Sequence, residues 1–227
     1  MFLNKKILCL IPARGGSKGI KYKNLKKIGK KSLVENSIRF AKSLKFLDKI
    51  IVSSDYYKIL NIAKSLNVSC HLRSKKLSKD FISDYQVIRN VLKKYKNYDY
   101  ILYLQPTSPF RKKKTVENSI KKFFKNKLDT LFSVESIKHN HNPYYLFSDK
   151  KELKKRIKKF RKKPIRQKEK KYYGMDGGAI FMFKSQYKLK RIFGNKFDFV
   201  KVSKFEAIDI DTKEDLNLAK SIKFKIS

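Results

Sequence analysis

Three short strings in this sequence combine residue types that could grip a polyanion and do chemistry on it. The first is Ile11-Pro12-Ala13-Arg14-Gly15-Gly16-Ser17-Lys18-Gly19. Its glycines allow close backbone approach and positive φ, and consecutive N–H groups in such a turn can form an anion-binding concavity. Arg14 and Lys18 add fixed positive charge suited to a triphosphate. The string matches neither of the common phosphate-loop patterns, so a merely basic, Gly-rich turn is the competing reading. The second string is Ile208-Asp209-Ile210-Asp211. In extended chain, alternate residues face the same side, so both carboxylates would project together. Their repulsion would be relieved by a hard divalent cation such as Mg²⁺, which commonly takes one or two carboxylates plus substrate phosphates. Asp211 could instead cap the helix that starts near Lys213. The third is Leu104-Gln105-Pro106-Thr107-Ser108-Pro109-Phe110-Arg111, where Gln105 offers donors and an acceptor to a polar ligand. His139 and His141 lack a nearby third ligand and read as a surface loop rather than a zinc site.

These strings need elements to hold them. Lys6 to Ile11 is a short continuous apolar run, as in a parallel strand buried on both faces. Ser32 to Leu44 has helical spacing, with Ser32 and Glu35 in a capping-box pattern. Strands follow at Lys49–Ser53, Val68–Leu72, Tyr100–Leu104, Thr130–Val134 and Ala179–Phe183. Helices fall at Tyr57–Leu66, Asp84–Tyr95, Thr115–Phe124 and Lys213–Ile222. The alternation predicts an α/β fold, a mostly parallel sheet flanked by helices. Ligands then bind at the carboxyl ends of the strands, where the first and third strings sit. Regularity lapses between Ile137 and Met175, and loops that long usually serve function or an interface.

The 227 residues and 41% apolar content suit one domain rather than two. No apolar run approaches the ~20 residues that span a bilayer, and the run at Ile7–Ile11 is too short for a signal peptide. The chain is expected to be cytoplasmic, without membrane insertion. Cys9 and Cys70 form no disulfide framework and read as buried thiols. Lys and Arg total 58 against 19 Asp and Glu, a net charge of +39. That field attracts polyanions. The lysines are spread over the whole chain, however, and the densest run, Lys150 to Lys171, carries no known nucleic-acid-binding pattern. A specific nucleic-acid partner is not expected; a basic nucleic-acid-binding protein is the alternative from another class, separable by salt sensitivity.

In this order, the strings resemble the acylneuraminate cytidylyltransferase (CMP-sialic acid synthetase) family over nearly the whole chain. The carriers are Ile11 to Ile20 with Lys23-Asn24-Leu25, Ile51 to Asp55, Leu72-Arg73, Leu104 to Arg111, Arg166-Gln167, Gly178-Ala179-Ile180 and Ile208 to Asp211. The resemblance implies a Rossmann-like nucleotide-diphospho-sugar transferase fold, one nucleotidyltransferase domain over 1–227. It implies an inserted dimerisation and sugar-pocket arm at about 137–176, and a homodimer. The implied reaction transfers CMP from CTP to the anomeric hydroxyl of an acidic nine-carbon sugar, releasing pyrophosphate. By position, Arg14, Ser17 and Lys18 would hold the triphosphate, with Gly15 lining the turn, and Arg14, Lys18 and Asp211 would be catalytic. Ala13, Asn24, Arg73 and Ser83 would contact the nucleoside. Gln105 and Arg166 would contact the acidic sugar, Tyr172 or Tyr173 would form an aromatic wall, and Asp209 and Asp211 would carry Mg²⁺. Lys21 stands where the family usually has Pro. Gly177-Gly178-Ala179-Ile180-Phe181, preceded by Asp176, replaces an Asn-Gly-Ala-Ile-Tyr pattern. The lost amide makes a legionaminic or pseudaminic type of acid plausible beside sialic acid, and a CMP-Kdo synthetase is the nearest enzymatic alternative.

Overall fold

The computed structural model describes residues 4–138, 141, 146, 148–159, 170–185 and 193–226. The elements in chain order are β1 (Ile7–Pro12), β2 (Lys27–Ile28), β3 (Lys31–Ser32), α1 (Leu33–Ser43), β4 (Lys49–Ser54), α2 (Tyr57–Ser65), β5 (Ser69–Leu72), α3 (Asp84–Lys94) and β6 (Tyr100–Tyr103). They continue with α4 (Lys113–Lys125), β7 (Thr130–Ser136), α5 (Lys150–Lys159), β8 (Tyr173–Met175), β9 (Phe181–Lys184), β10 (Phe197–Lys201) and α6 (Lys213–Ile226). The main sheet runs β10-β7-β9-β6-β1-β4-β5, with β8 also paired to β7, and β2 and β3 form a separate hairpin. The pairings β5–β4–β1–β6 and β7–β10 are parallel, whereas β9 runs against both β6 and β7. The expected α/β architecture is thus present.

β1 shows why the sheet holds. Ile7, Cys9 and Ile11 pack into a core with Val34 and Ile38 of α1, Ile59 of α2 and Ile120 of α4. Leu8 and Leu10 face the other way, against Ile88, Val91 and Leu92 of α3. Each such buried side chain contributes about 1.5–3 kcal/mol relative to exposure, so both faces fix the register. Burial pushes the Cys9 thiol up to about 12, against the opposing pull of Arg111. Cys70 is only half-buried, with Sγ 3.4 Å from the Leu60 carbonyl.

Several expectations are corrected. Ser32 Oγ accepts from Glu35 N at 3.3 Å, but the Glu35 carboxylate pairs with Arg39 instead of completing a capping box. The irregular stretch contains α5 and β8. The helix escapes a periodicity reading because its ten residues, KKELKKRIKK, carry few apolar ones. β10 lies at the sheet edge, although Phe197-Asp198-Phe199 carries the period-two alternation of a strand.

A further feature is a wide bulge. β8 and β9 run along the same side of β7, and the step from Val134 to Phe132 is faced by the whole stretch Met175 to Phe181. Asp176 to Ala179 therefore leave the ladder, and Ile180 rejoins it by accepting from Ser133 N at 2.9 Å. Asp176 Oδ1 accepts from Ser133 Oγ at 2.8 Å, Gly178 N at 3.0 Å and Ala179 N at 3.1 Å, which closes the bulge on itself. Gly178 sits at φ +95, a conformation that L side chains rarely adopt.

Candidate active site

The parallel strands β1, β4, β5 and β6 all end on one edge, and their following loops meet there. The turn after β1 is pinned by close approach rather than by positive φ, which none of Gly15, Gly16 and Gly19 adopts. Gly15 N donates to Asp55 Oδ1 at 2.9 Å, and a Cβ on Gly15 would stand 2.6 Å from the Tyr56 Cβ. Tyr56 in turn stacks on Tyr22, with ring centroids 5.3 Å apart. Buried Asn24 donates to the Arg14 carbonyl at 2.9 Å. Gly16 has nothing within 4 Å of its Cβ position and faces open space.

The two cations of this turn share a partner that sequence reasoning missed. Arg14 Nη1 lies 2.5 Å from Asp80 Oδ1, and Lys18 Nζ lies 3.2 Å from Asp80 Oδ2. Hydrogen bonds from Arg14 and Lys18 hold the Asp80 carboxyl below the usual carboxylate range. Nothing in the string around Asp80 marks it, because the contact joins two separate loops.

Of the two C-terminal acids, Asp211 comes to the same turn, while Asp209 stands against Gly177. A Cβ on Gly19 would lie 2.4 Å from the Asp211 carbonyl oxygen, and Lys23 Nζ contacts Asp211 Oδ1 at 2.6 Å. Ile210 is the anchor. It is fully buried among Ile20, Ile28, Leu33, Leu216 and Ala219, and its N–H donates to the Thr107 carbonyl at 2.9 Å. Ile208–Asp211 is not a strand, so the acids are not a simple alternating pair. Asp211 is exposed, while Asp209 is half-buried with its Oδ1 out of solvent. Burial, with the Asp211 charge adding, raises the Asp209 carboxyl above the usual range. The capping alternative for Asp211 fails: Thr212 Oγ1 accepts from Asp215 N at 3.2 Å and Asp215 Oδ2 accepts from Thr212 N at 2.8 Å. That reciprocal box belongs to Thr212 and leaves the Asp211 side chain out; only the Asp211 N–H joins it, donating to Asp215 Oδ2 at 3.1 Å.

The remaining residues divide between two adjoining cavities. One, of about 200 Å³, is lined by Arg14, Ser17, Lys23, Asn24 and Arg73 among others. The other, of about 390 Å³, has walls from Ile88, Phe132, Phe181 and Phe193, with Asp176 and Asp209. Asp84, Tyr103 and Gln105 line both. Arg73 is buried and fixed from behind: its Nη2 donates to the Ser53 carbonyl at 3.0 Å, and its Nε to Ser53 Oγ at 3.3 Å. His71 Nδ1 shares that hydroxyl at 3.0 Å, and burial, then the Arg73 charge, lowers the imidazole.

Not every expected residue meets the cavities. Fully buried Ala13 continues the sheet through its N–H to the Ser53 carbonyl at 2.9 Å, so only its backbone edge is available. Ser83 caps α3 in a reciprocal box with Gln86. Tyr173 is absent from both walls; its ring packs on Phe199 at 5.5 Å and lies under Lys201 Nζ at 4.3 Å. Arg166 and Gln167, with His139, lie outside the described residues. Arg111, noted only as part of a string, is buried and joins both sides of the site. Its Nε donates to the Ala179 carbonyl and its Nη2 to the Gln105 carbonyl. Burial lowers its pKa to about 10, against the opposing charges of Asp176 and Asp209.

Among the described residues no group of three or more His, Cys, Asp or Glu could cage a metal. Asp209 and Asp211 nevertheless fit an ion that takes few protein ligands. Asp209 Oδ1 is buried with no hydrogen-bond partner, and Asp211 already attracts a cation in Lys23. Among the described residues no helix is long and apolar enough to cross a membrane.

Comparison with known proteins agrees with this layout. The chain is 29% identical to the N-acylneuraminate cytidylyltransferase of Escherichia coli, over 98% of this chain and 53% of that one, so it spans about half that relative's length. It is also 29% identical to the pseudaminic acid cytidylyltransferase of Campylobacter jejuni, over 98% of this chain and 97% of that one. A solved CMP:2-keto-3-deoxy-manno-octonic acid synthetase, complexed with CTP, superposes with a TM-score of 0.73 at 15% identity, covering 98% and 100% of the two chains, which shows a shared fold. The profile described as Cytidylyltransferase matches residues 8–223, and the chain belongs to that family.

Proposed function

We propose that this protein transfers CMP from CTP to the anomeric hydroxyl of an acidic nine-carbon sugar, of sialic, pseudaminic or legionaminic type. The anomeric oxygen attacks the α-phosphorus and its hydroxyl proton is lost. The bond to the bridging α–β oxygen breaks, and pyrophosphate leaves. The observation that carries this reading is the shared wall. A small polar cavity bordered by Arg14, Ser17, Lys23 and Arg73 shares Asp84, Tyr103 and Gln105 with a larger, mostly apolar one. A nucleotide in the first and a sugar in the second would meet at that wall, which is the positioning such a displacement requires.

In this reading Arg14, Ser17, Lys18 and the Gly15–Gly16 backbone hold the triphosphate. Arg73 and Asn24 flank the nucleoside, with the Ala13 backbone and Ser83 beside it. Gln105 faces the sugar, and Arg166 takes its carboxylate as a bidentate partner; the support for Arg166 is the resemblance alone. Asp209 and Asp211 hold Mg²⁺, which when bound offsets charge developing on the phosphates. Fixed cations near the departing pyrophosphate act in the same sense. We place the enzyme in the cytoplasm as a homodimer, with the segment at about 137–176 as its dimerisation arm; a monomeric mass in solution would refute the dimer.

The test is pyrophosphate release from CTP and Mg²⁺ with a panel of N-acetylneuraminic, pseudaminic, legionaminic and 2-keto-3-deoxy-octonic acids. Turnover with a nine-carbon acid is expected, and Arg166→Ala is expected mainly to raise that acid's KM. Turnover with the eight-carbon acid alone, or with none, refutes the reading.

A further inference from the structure

His71 is a buried titratable group that the proposed reaction does not use, yet it stands directly behind the smaller cavity. Ser53 of β4 and His71 of β5 are partners in the parallel ladder, and just beyond them Arg73 N donates to the Ser54 carbonyl at 2.8 Å. Alternate strand residues share a face, so Ser53, His71 and Arg73 project together. That face is the one covered by α3, where Ile51, two residues before Ser53, packs with Ile88 and Val91. The Ser53 hydroxyl lies between the other two side chains, 3.3 Å from Arg73 Nε and 3.0 Å from His71 Nδ1. A guanidinium only donates, so Ser53 Oγ accepts from Arg73, and its single proton is left for His71 Nδ1. The other ring nitrogen then meets the Asn90 side chain of α3. Burial, then the charges of Arg73 and Lys94, keeps the imidazole below its ordinary range and so neutral, as an acceptor must be.

Arg73 has a use for such a brace. Two of its five N–H donors are spent on Ser53, and the residue lines the smaller cavity. Asp55 and Asp84 attract the same guanidinium, so a loosened Arg73 has other acids to turn to.

We infer, resting on the reading above, that His71 is a positioning residue for the nucleotide. By accepting the Ser53 hydroxyl proton it turns the Ser53 oxygen toward Arg73 Nε, and the guanidinium is held at the cavity wall with further N–H groups available to CTP. His71 lines neither cavity and acts only through Ser53.

His71→Leu removes the acceptor at similar size, and His71→Asn restores an amide oxygen close to where Nδ1 stands. In the Leu variant the Kd of CTP, read by calorimetry without sugar, and the KM of CTP should both rise ~10-fold. The kcat and the acid's KM should stay within about twofold. His71→Asn should bring CTP affinity back to within about threefold of the wild type. Ser53→Ala, a smaller change that tests the same link should His71→Leu not fold, should weaken CTP comparably. Adding His71→Leu to it should cost less than a further twofold, because two residues acting through one link are not additive. Unchanged CTP affinity in His71→Leu, losses shared by kcat and the acid's KM, a loss undiminished in His71→Asn, or additive losses in the double variant would overturn the inference and leave His71 as packing between β5 and α3. A wild-type protein that binds no CTP would instead overturn the proposed function, and this assignment with it.

Discussion

Arg14 and Asp80 are joined at 2.5 Å, and Lys18 leans on the same carboxylate at 3.2 Å. Both cations assigned to the triphosphate are therefore held by an acid from another loop. On the proposed reading, CTP competes with Asp80 for them. Asp80→Asn should tighten CTP binding by ~2–5-fold, the scale of exposed ion pairs, read by calorimetry without sugar. Weaker binding in the variant would mean that Asp80 preorganises the two side chains rather than competing for them.

Asp211 is exposed, and its side chain makes no cap. Asp211→Ala should lower the rate of pyrophosphate release ~100-fold or more, yet shift the melting temperature by no more than ~2 °C. Normal turnover by that variant would remove Asp211 from the metal assignment.

Arg111→Met should be chiefly a stability variant. It strands the Gln105 and Ala179 carbonyls in the interior and deprives Asp176 and Asp209 of a nearby positive charge. The expected cost is ~3 kcal/mol or more, or ~6–12 °C in Tm for a chain of this size. Arg111→Lys should recover part of it. A Tm unchanged in the Met variant would contradict the bracing role.

Asp129 gives a pH test. Its Oδ1 takes Lys184 Nζ at 2.6 Å and its Oδ2 takes Lys196 N at 3.0 Å, tying the start of β7 to β9 and to the chain entering β10. The Lys184 hydrogen bond is the main reason its carboxyl lies below the usual range. A depressed pKa contributes stability above the unfolded value, and that contribution is lost as pH falls through the folded one. Asp129→Asn should cost about 1 kcal/mol at pH 7, discounted for solvent screening. Denaturant melts should show that gap constant down to about pH 5 and shrinking below about pH 4. A gap that widens in acid would have the sign wrong.

The sheet and the two strings that meet at its edge were legible because each rests on local chain chemistry. The apolar run at Ile7–Ile11 demands burial on both faces, and the turn after it carries its glycines and cations in one string. Gly19 and Lys23 meet Asp211 as a shared phosphate site would require. The Asp176 bulge was not legible, because it exists only where β8 and β9 share one side of β7. Asp80 and Asp84 were hidden for the same reason: each acts across a gap between loops. The fate of Asp211 was ambiguous until Thr212 and Asp215 were seen to close the helix start between themselves.

The contact between Lys23 and Asp211 links positions 188 residues apart. A nascent polypeptide can therefore assemble β1, β4 and β6 well before it owns a working centre. On the reading proposed above, a centre that needs both ends of the chain is complete only once Ile210 is seated against Thr107 and the acids beside it are in place.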